Sequence, residues 1–156
     1  MAKKILFVDM DNVLVDFASG ISRISDEERS QYKDDLDEVP GIFSKMDPLE
    51  GGIESYKLLA EHFDTYILST APWENSSAWS DKLEWVKEHL GEEEGDPAYK
   101  RLILSHNKNL CHGDYLIDDR DANGADKFGG ELLRFGKGQA YPDWKAVVAY
   151  LLPDHK

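Results

Sequence analysis

Four short stretches of this chain carry side chains that can do phosphate chemistry together. They are Asp9-Met10-Asp11, Ser69-Thr70, Lys108 within HNKN, and Asp118-Asp119. Brought to one place, four carboxylates repel one another unless a cation sits among them. Hard oxygen ligands, a few carboxylates with water and a phosphate oxygen completing the set, are what Mg²⁺ accepts. A phosphoryl group beside such an ion has its charge offset by the ion and by Lys108, while Thr70 donates a hydrogen bond to it. One carboxylate near the phosphorus can attack it to give an aspartyl-phosphate. A second, two residues further on, can protonate the leaving alcohol and then activate water. Residues i and i+2 of a strand start on the same face, which explains the intervening Met10. Beyond the strand end Asp11 can turn away while its backbone carbonyl faces the metal.

The elements between these stretches are those that would bring them together. Lys3 to Asp9 (KKILFVD) is a short apolar run, as expected of a buried parallel strand. Leu14, Phe17, Ile21 and Ile24 recur at helical spacing, so a helix is expected directly afterwards. Asp26 to Glu38 (DEERSQYKDDLDE) has few apolar anchors and reads as an exposed helical or mobile insertion outside the core. Ile53, Tyr56, Ala60 and Phe63 mark a helix, and TYILST (65–70) a second strand. Trp79, Leu83, Val86 and Leu90 form an apolar stripe closed by Gly91. RLILS (101–105), YLI (115–117) and ELLRF (131–135) read as strands three to five. Pro142 opens a last helix with Trp144, Val147, Val148 and Leu151 on one face, stopped by Pro153. Strands alternating with helices predict an α/β fold: a Rossmann-like parallel sheet of about five strands with helices on both faces. Ligands of such sheets bind beyond the carboxyl ends of the strands, where all four stretches fall. The chain is expected to be one domain over 1–156, with a small helical cap inserted after strand one at 18–47.

Bulk properties narrow the partners. A formal net charge of −13 disfavours polymeric nucleic acid, whose phosphates need Lys and Arg, but permits a small phosphorylated metabolite. The single cysteine, Cys111, cannot form an intrachain disulfide and suits a reducing cytoplasm. The apolar run at Ile5–Val8 is too short for a signal peptide, and nothing approaches a membrane span, so no membrane association is expected. The five histidines show no paired spacing for zinc. The acidic loop GEEEGD (91–96) reads as a solvated connection.

DMDNVLVDF resembles the first motif of the haloacid dehalogenase (HAD) superfamily, an Asp-x-Asp-x-(Thr/Val) at the end of the first strand. Ser69-Thr70, Lys108 and Asp118-Asp119 resemble the second, third and fourth motifs in order and spacing. The resemblance implies Asp9 as nucleophile, Asp11 as general acid and base, and Thr70 and Lys108 as phosphate holders. It also implies Mg²⁺ bound by Asp9, the Asp11 carbonyl and the acidic pair, with Asp119 the preferred direct ligand and Asp118 the other candidate. More narrowly, DMDNVLVDF, DPLEGGIE, STAPW, KLEWVKEHLG and YLIDDR together resemble the 5′(3′)-deoxyribonucleotidases. That family places an aromatic residue at the position of Phe17 against the nucleoside, and a lysine at that of Lys82 against phosphate. The sequence departs from the pattern at Asn12, where glycine is common, and in 26–38, which lacks the family's aromatic cluster; Phe43 is the candidate to stand in for it.

Plainer roles compete at several positions. Lys82 lies beside the Trp79–Leu83 stripe, where snorkelling at a helix edge is the alternative to a phosphate contact. Phe17 belongs to an apolar face, and Trp73 either rims the site or packs. The expected function is a Mg²⁺-dependent phosphomonoesterase of a small nucleotide, most simply a deoxynucleoside monophosphate, acting as monomer or homodimer. The alternatives are a phosphatase of a sugar phosphate or other small phosphoester, and a weakly catalytic homologue that binds a phosphometabolite. A signalling receiver domain also holds an aspartyl-phosphate, but it places its acidic pair after strand one and its phosphorylated Asp after strand three, the reverse of the order here.

Overall fold

The computed structural model describes residues 2–155. Five strands form a parallel sheet: β1 (Ile5–Val8), β4 (Asp64–Ser69), β5 (Leu102–Leu104), β6 (Tyr115–Asp118) and β7 (Glu131–Arg134), in the order β5-β4-β1-β6-β7. β1 is central because it is apolar on both faces. Leu6 and Val8 point to one side and Phe7 to the other, all buried.

The two faces are covered unequally. Leu6, Val8, Ile67, Ile117 and Leu133 pack with residues of the three long helices, α3 (Gly52–His62), α4 (Ser76–Leu90) and α5 (Trp144–Leu151). On the other face Phe7, Leu68 and Leu116 meet Ala125 and Phe128, and the cover there is single 3₁₀ turns at Lys108–Leu110 and Ala125–Lys127. Helices on both faces are therefore met on the second face only by single turns.

Two local expectations are corrected. The helix predicted from Leu14 is confined to α1 (Phe17–Ile21), preceded by the two-residue strand β2 (Val15–Asp16), which pairs with β3 (Asp47–Pro48). The cause is Asn12, which takes φ 62° and reverses the chain so that the N–H groups of Val13, Leu14 and Val15 all point at the Met10 carbonyl. Asparagine tolerates this left-handed conformation better than most side chains, which accounts for its standing where glycine is common. In α4 the buried positions are Ala78, Lys82, Trp85, Val86 and Leu90, whereas Leu83 is 42 % exposed. The buried stripe is thus rotated from the predicted one and contains a lysine.

The charged segment 26–38 contributes no buried residue, as read, whereas the stretch directly after it enters the core. α2 (Asp26–Gln31) begins at a capping box between Ser25 and Glu28 and buries no residue. After the turn Leu36–Glu38, however, Val39, Ile42, Phe43 and Met46 join the same apolar cluster as the sheet. Side chains of α4 and the loop before it hold this stretch. Asn75 Nδ2 donates to the carbonyls of Asp37 (2.9 Å) and Val39 (3.1 Å), and Trp85 Nε1 to that of Met46 (3.0 Å). The final helix starts at Trp144, with Asp143 rather than Pro142 as its cap.

Candidate active site

β1 and β6 are neighbours in register, so the residues just past their ends come together at the carboxyl rim of the sheet. Carboxylate oxygens of Asp9, Asp118 and Asp119 lie within 4.8 Å of one another. Lys108 reaches them from the turn after β5. Its Nζ lies 3.1 Å from Asp9 Oδ1 and 2.6 Å from Asp118 Oδ2, and the side chains are nearly closed to solvent. The turn is fixed from below: the Lys108 N–H donates to the Asn123 carbonyl at 2.8 Å. Gly124, at φ 85°, lies so close that a Cβ would come within 2.9 Å of the Lys108 nitrogen.

The electrostatics follow from this packing. Burial pushes the Asp118 and Asp119 carboxyls upward, and the Asp9 charge adds to the effect. Burial alone would lower the Lys108 ammonium, but Asp9 and Asp118 outweigh it and hold the group above its ordinary value. Three carboxylates with one shared ammonium remain an oxygen-rich, electron-rich cluster, and these donors fit a hard divalent cation. Asp118 already accepts from Lys108 and from the Arg120 N–H (3.1 Å). Asp119 is the member of the acidic pair that lines the adjoining cavity.

Asp11 has a different partner. Lys82, fully buried, places Nζ 3.1 Å from both Asp11 oxygens and 2.8 Å from Ser69 Oγ. The snorkelling alternative for Lys82 is thereby overturned: its charge is inside, opposite a carboxylate. Asp11 keeps 28 % of its side chain exposed. Its carboxyl lies above the ordinary value because burial outweighs the opposing Lys82 charge.

A cavity of about 340 Å³ opens over this floor, lined by Asp9, Asp11, Phe17, Thr70, Lys108 and Asp119, with Asn12 and Arg120. Thr70 reaches it, but its hydroxyl donates to the Ser105 carbonyl at 2.7 Å. Phe17 meets Phe43 edge-on at 5.9 Å. Trp73 lies outside the lining, 78 % exposed, with its ring against His106. The sequence reading missed the far wall: Lys33, Asp34, Leu36 and Asp37 of the charged segment close the cavity. No spacing signal marks them, since every residue type there is also ordinary surface. Arg120 was findable, because it directly follows the acidic pair.

A parallel sheet with an Asp-x-Asp at the tip of its central strand and an acidic pair on the neighbouring strand defines a HAD-type hydrolase. Solved structures agree on the fold. The "putative HAD-hydrolase YfnB from Bacillus subtilis", described as bound to magnesium, aligns over 97 % of this chain and 99 % of its own, with TM-score 0.63 and 12 % identity. Within that class, the chain belongs to the 5′(3′)-deoxyribonucleotidase family. Residues 32–139 match the family described as 5′ nucleotidase, deoxy (Pyrimidine), cytosolic type C protein. A "Putative 5′(3′)-deoxyribonucleotidase" of Vibrio phage KVP40 is 53 % identical over 99 % of this chain and 88 % of its own length. The human "5′(3′)-deoxyribonucleotidase, cytosolic type" is 28 % identical over 78 % of this chain and 73 % of its own.

Proposed function

We propose that this chain hydrolyses the phosphate ester of deoxynucleoside monophosphates through an aspartyl-phosphate on Asp9, with Mg²⁺ as cofactor. The observation that carries the reading is the convergence of Asp9, Asp118 and Asp119 around Lys108 at the rim of the sheet. Substrate class is supported by the relatives' names and by Phe17, the aromatic ring in the cavity lining. Asp9, Asp119 and the Asp11 carbonyl would hold the metal, with Asp118 outside them on Lys108. Bound there, Mg²⁺ supplies positive charge that offsets the phosphoryl oxygens and holds them in line for attack.

Lys108 binds the phosphoryl group, and Thr70 turns its hydroxyl from Ser105 to the same group. An Asp9 carboxylate oxygen forms a bond to phosphorus as the ester P–O bond breaks, and the departing oxygen takes a proton from Asp11. Asp11, now a carboxylate, takes a proton from water as the water oxygen attacks phosphorus. The Asp9–phosphorus bond then breaks and inorganic phosphate leaves. Lys82 keeps Asp11 oriented over both steps. We read 1–156 as one HAD-like domain and 18–47 as its small cap, in a cytoplasmic enzyme.

One observation favours a second reading. The far wall presents Lys33, Asp34 and Asp37 instead of aromatic rings, which suits a polar ligand such as a sugar phosphate. Phosphate release from deoxynucleoside, ribonucleoside and sugar monophosphates, with Mg²⁺ and with chelator, separates the two. Mg²⁺-dependent release led by deoxynucleotides supports the first. Release from sugar phosphates alone keeps the chemistry and overturns the substrate.

A further inference from the structure

Lys82 carries a fully buried charge, and its surroundings show how that charge is held. Two sides of the ammonium meet oxygen, the Asp11 carboxylate and Ser69 Oγ. A third side meets the ring of Phe43, whose centroid lies 4.5 Å from Nζ. The three oxygens occupy the donors of the ammonium, and the aromatic face adds a charge–quadrupole attraction on the side that no oxygen covers. Phe43 sits in the 3₁₀ turn Ile42–Lys45, within the segment that closes the cavity from above. The contact therefore ties that segment to a carboxylate on the floor. The ring itself is held, edge-on to Phe17 on one side. The ends of its turn are fastened by Gly41 N–H to Ser77 Oγ (2.9 Å) and Trp85 Nε1 to the Met46 carbonyl.

The geometry points to Phe43 as a positioning residue: by facing the Lys82 ammonium it fixes the Lys82–Asp11 pair, and so aims Asp11 at the oxygen it protonates. This rests on the reading of Asp11 as general acid and base. Phe43 is 2 % exposed and absent from the cavity lining, so it acts through Lys82 and not on the substrate. An aliphatic side chain would fill the space but remove the π face. The ammonium would then lose that attraction while keeping its three oxygens, and the Lys82–Asp11 pair would be held less firmly.

A defect in proton donation scales with the need for it. Deoxynucleoside monophosphates release a basic alkoxide, whereas p-nitrophenyl phosphate releases an anion that leaves unprotonated. The test compares kcat/KM for both esters in wild type, Phe43→Leu, Phe43→Met and Phe43→Tyr. We expect Leu and Met to lower the nucleotide value about tenfold, the p-nitrophenyl value to stay within about twofold, and Tyr to restore the nucleotide value. In a Lys82→Met background Phe43→Leu should cause no further loss, since the path runs through Lys82. Equal losses on both esters, no rescue by Tyr, or additive losses with Lys82→Met would overturn the proposal. The Met variant and melting curves separate this from failure to fold. Asp11→Asn discriminates the underlying reading: full nucleotide activity in that variant would overturn the acid–base assignment itself. Its inactivity beside a leaving-group-blind Phe43→Leu would overturn only the role of Phe43.

Discussion

The cavity has a floor and a roof, and they are built on different terms. The floor is three strand ends and one turn, where buried carboxylates are matched by two buried lysines, Lys108 and Lys82. The roof is a charged run whose helix buries nothing; Asn75 fastens its end at Asp37, and Ser77 and Trp85 hold the chain beyond it at Gly41 and Met46. Charge on the floor is interior and paired, so removing one partner strands another. Charge on the roof is solvated, so a single change there costs little. On the proposed mechanism, changes to the floor should alter the chemistry and changes to the roof only what is admitted.

Breaking the floor should have the largest effect. Lys108→Met strands Asp9 and Asp118, and is expected to cost about 3–5 kcal/mol of stability and to lower phosphate release roughly 10²–10³-fold. Denaturant titration and a release assay measure the two, and added Mg²⁺ should recover part of the stability. Asn75→Ala, at the fastening, leaves the Asp37 and Val39 carbonyls without their donor and should cost about 1–3 kcal/mol, read by the same titration. Ser25→Ala removes the roof helix's cap at about 1 kcal/mol or less. Glu27→Lys, on the fully solvated face, should move stability by no more than about 0.5 kcal/mol. A roof substitution as costly as Lys108→Met would erase the contrast.

The same contrast governs what could be read in advance. Buried parallel strands are short apolar runs, so all five were visible, and the rim residues followed from the rule that ligands lie past strand ends. The β1–α1 junction was misread because apolar periodicity does not register a left-handed Asn12. Lys82 was undecided because its burial depends on Asp11, Ser69 and Phe43, each distant in sequence. The roof was least visible. In a run such as DEERSQYKDDLDE nothing local tells that Lys33, Asp34, Leu36 and Asp37 line the cavity while Ser30, Gln31 and Asp35 stand exposed outside it. The end of the run is held at Asp37 by Asn75, distant in sequence, whose role appears only once the chain is folded.

The central claim is covalent chemistry at Asp9, and trapping tests it most directly. Wild type, Asp9→Asn and Asp11→Asn would be mixed with ³²P-labelled deoxynucleoside monophosphate and Mg²⁺, quenched in acid, and digested. The account predicts label on the peptide holding Asp9, released by hydroxylamine, absent in Asp9→Asn, and slow to form in Asp11→Asn, where the leaving alkoxide lacks its proton donor. Label on another peptide, or continued hydrolysis by Asp9→Asn, would contradict it.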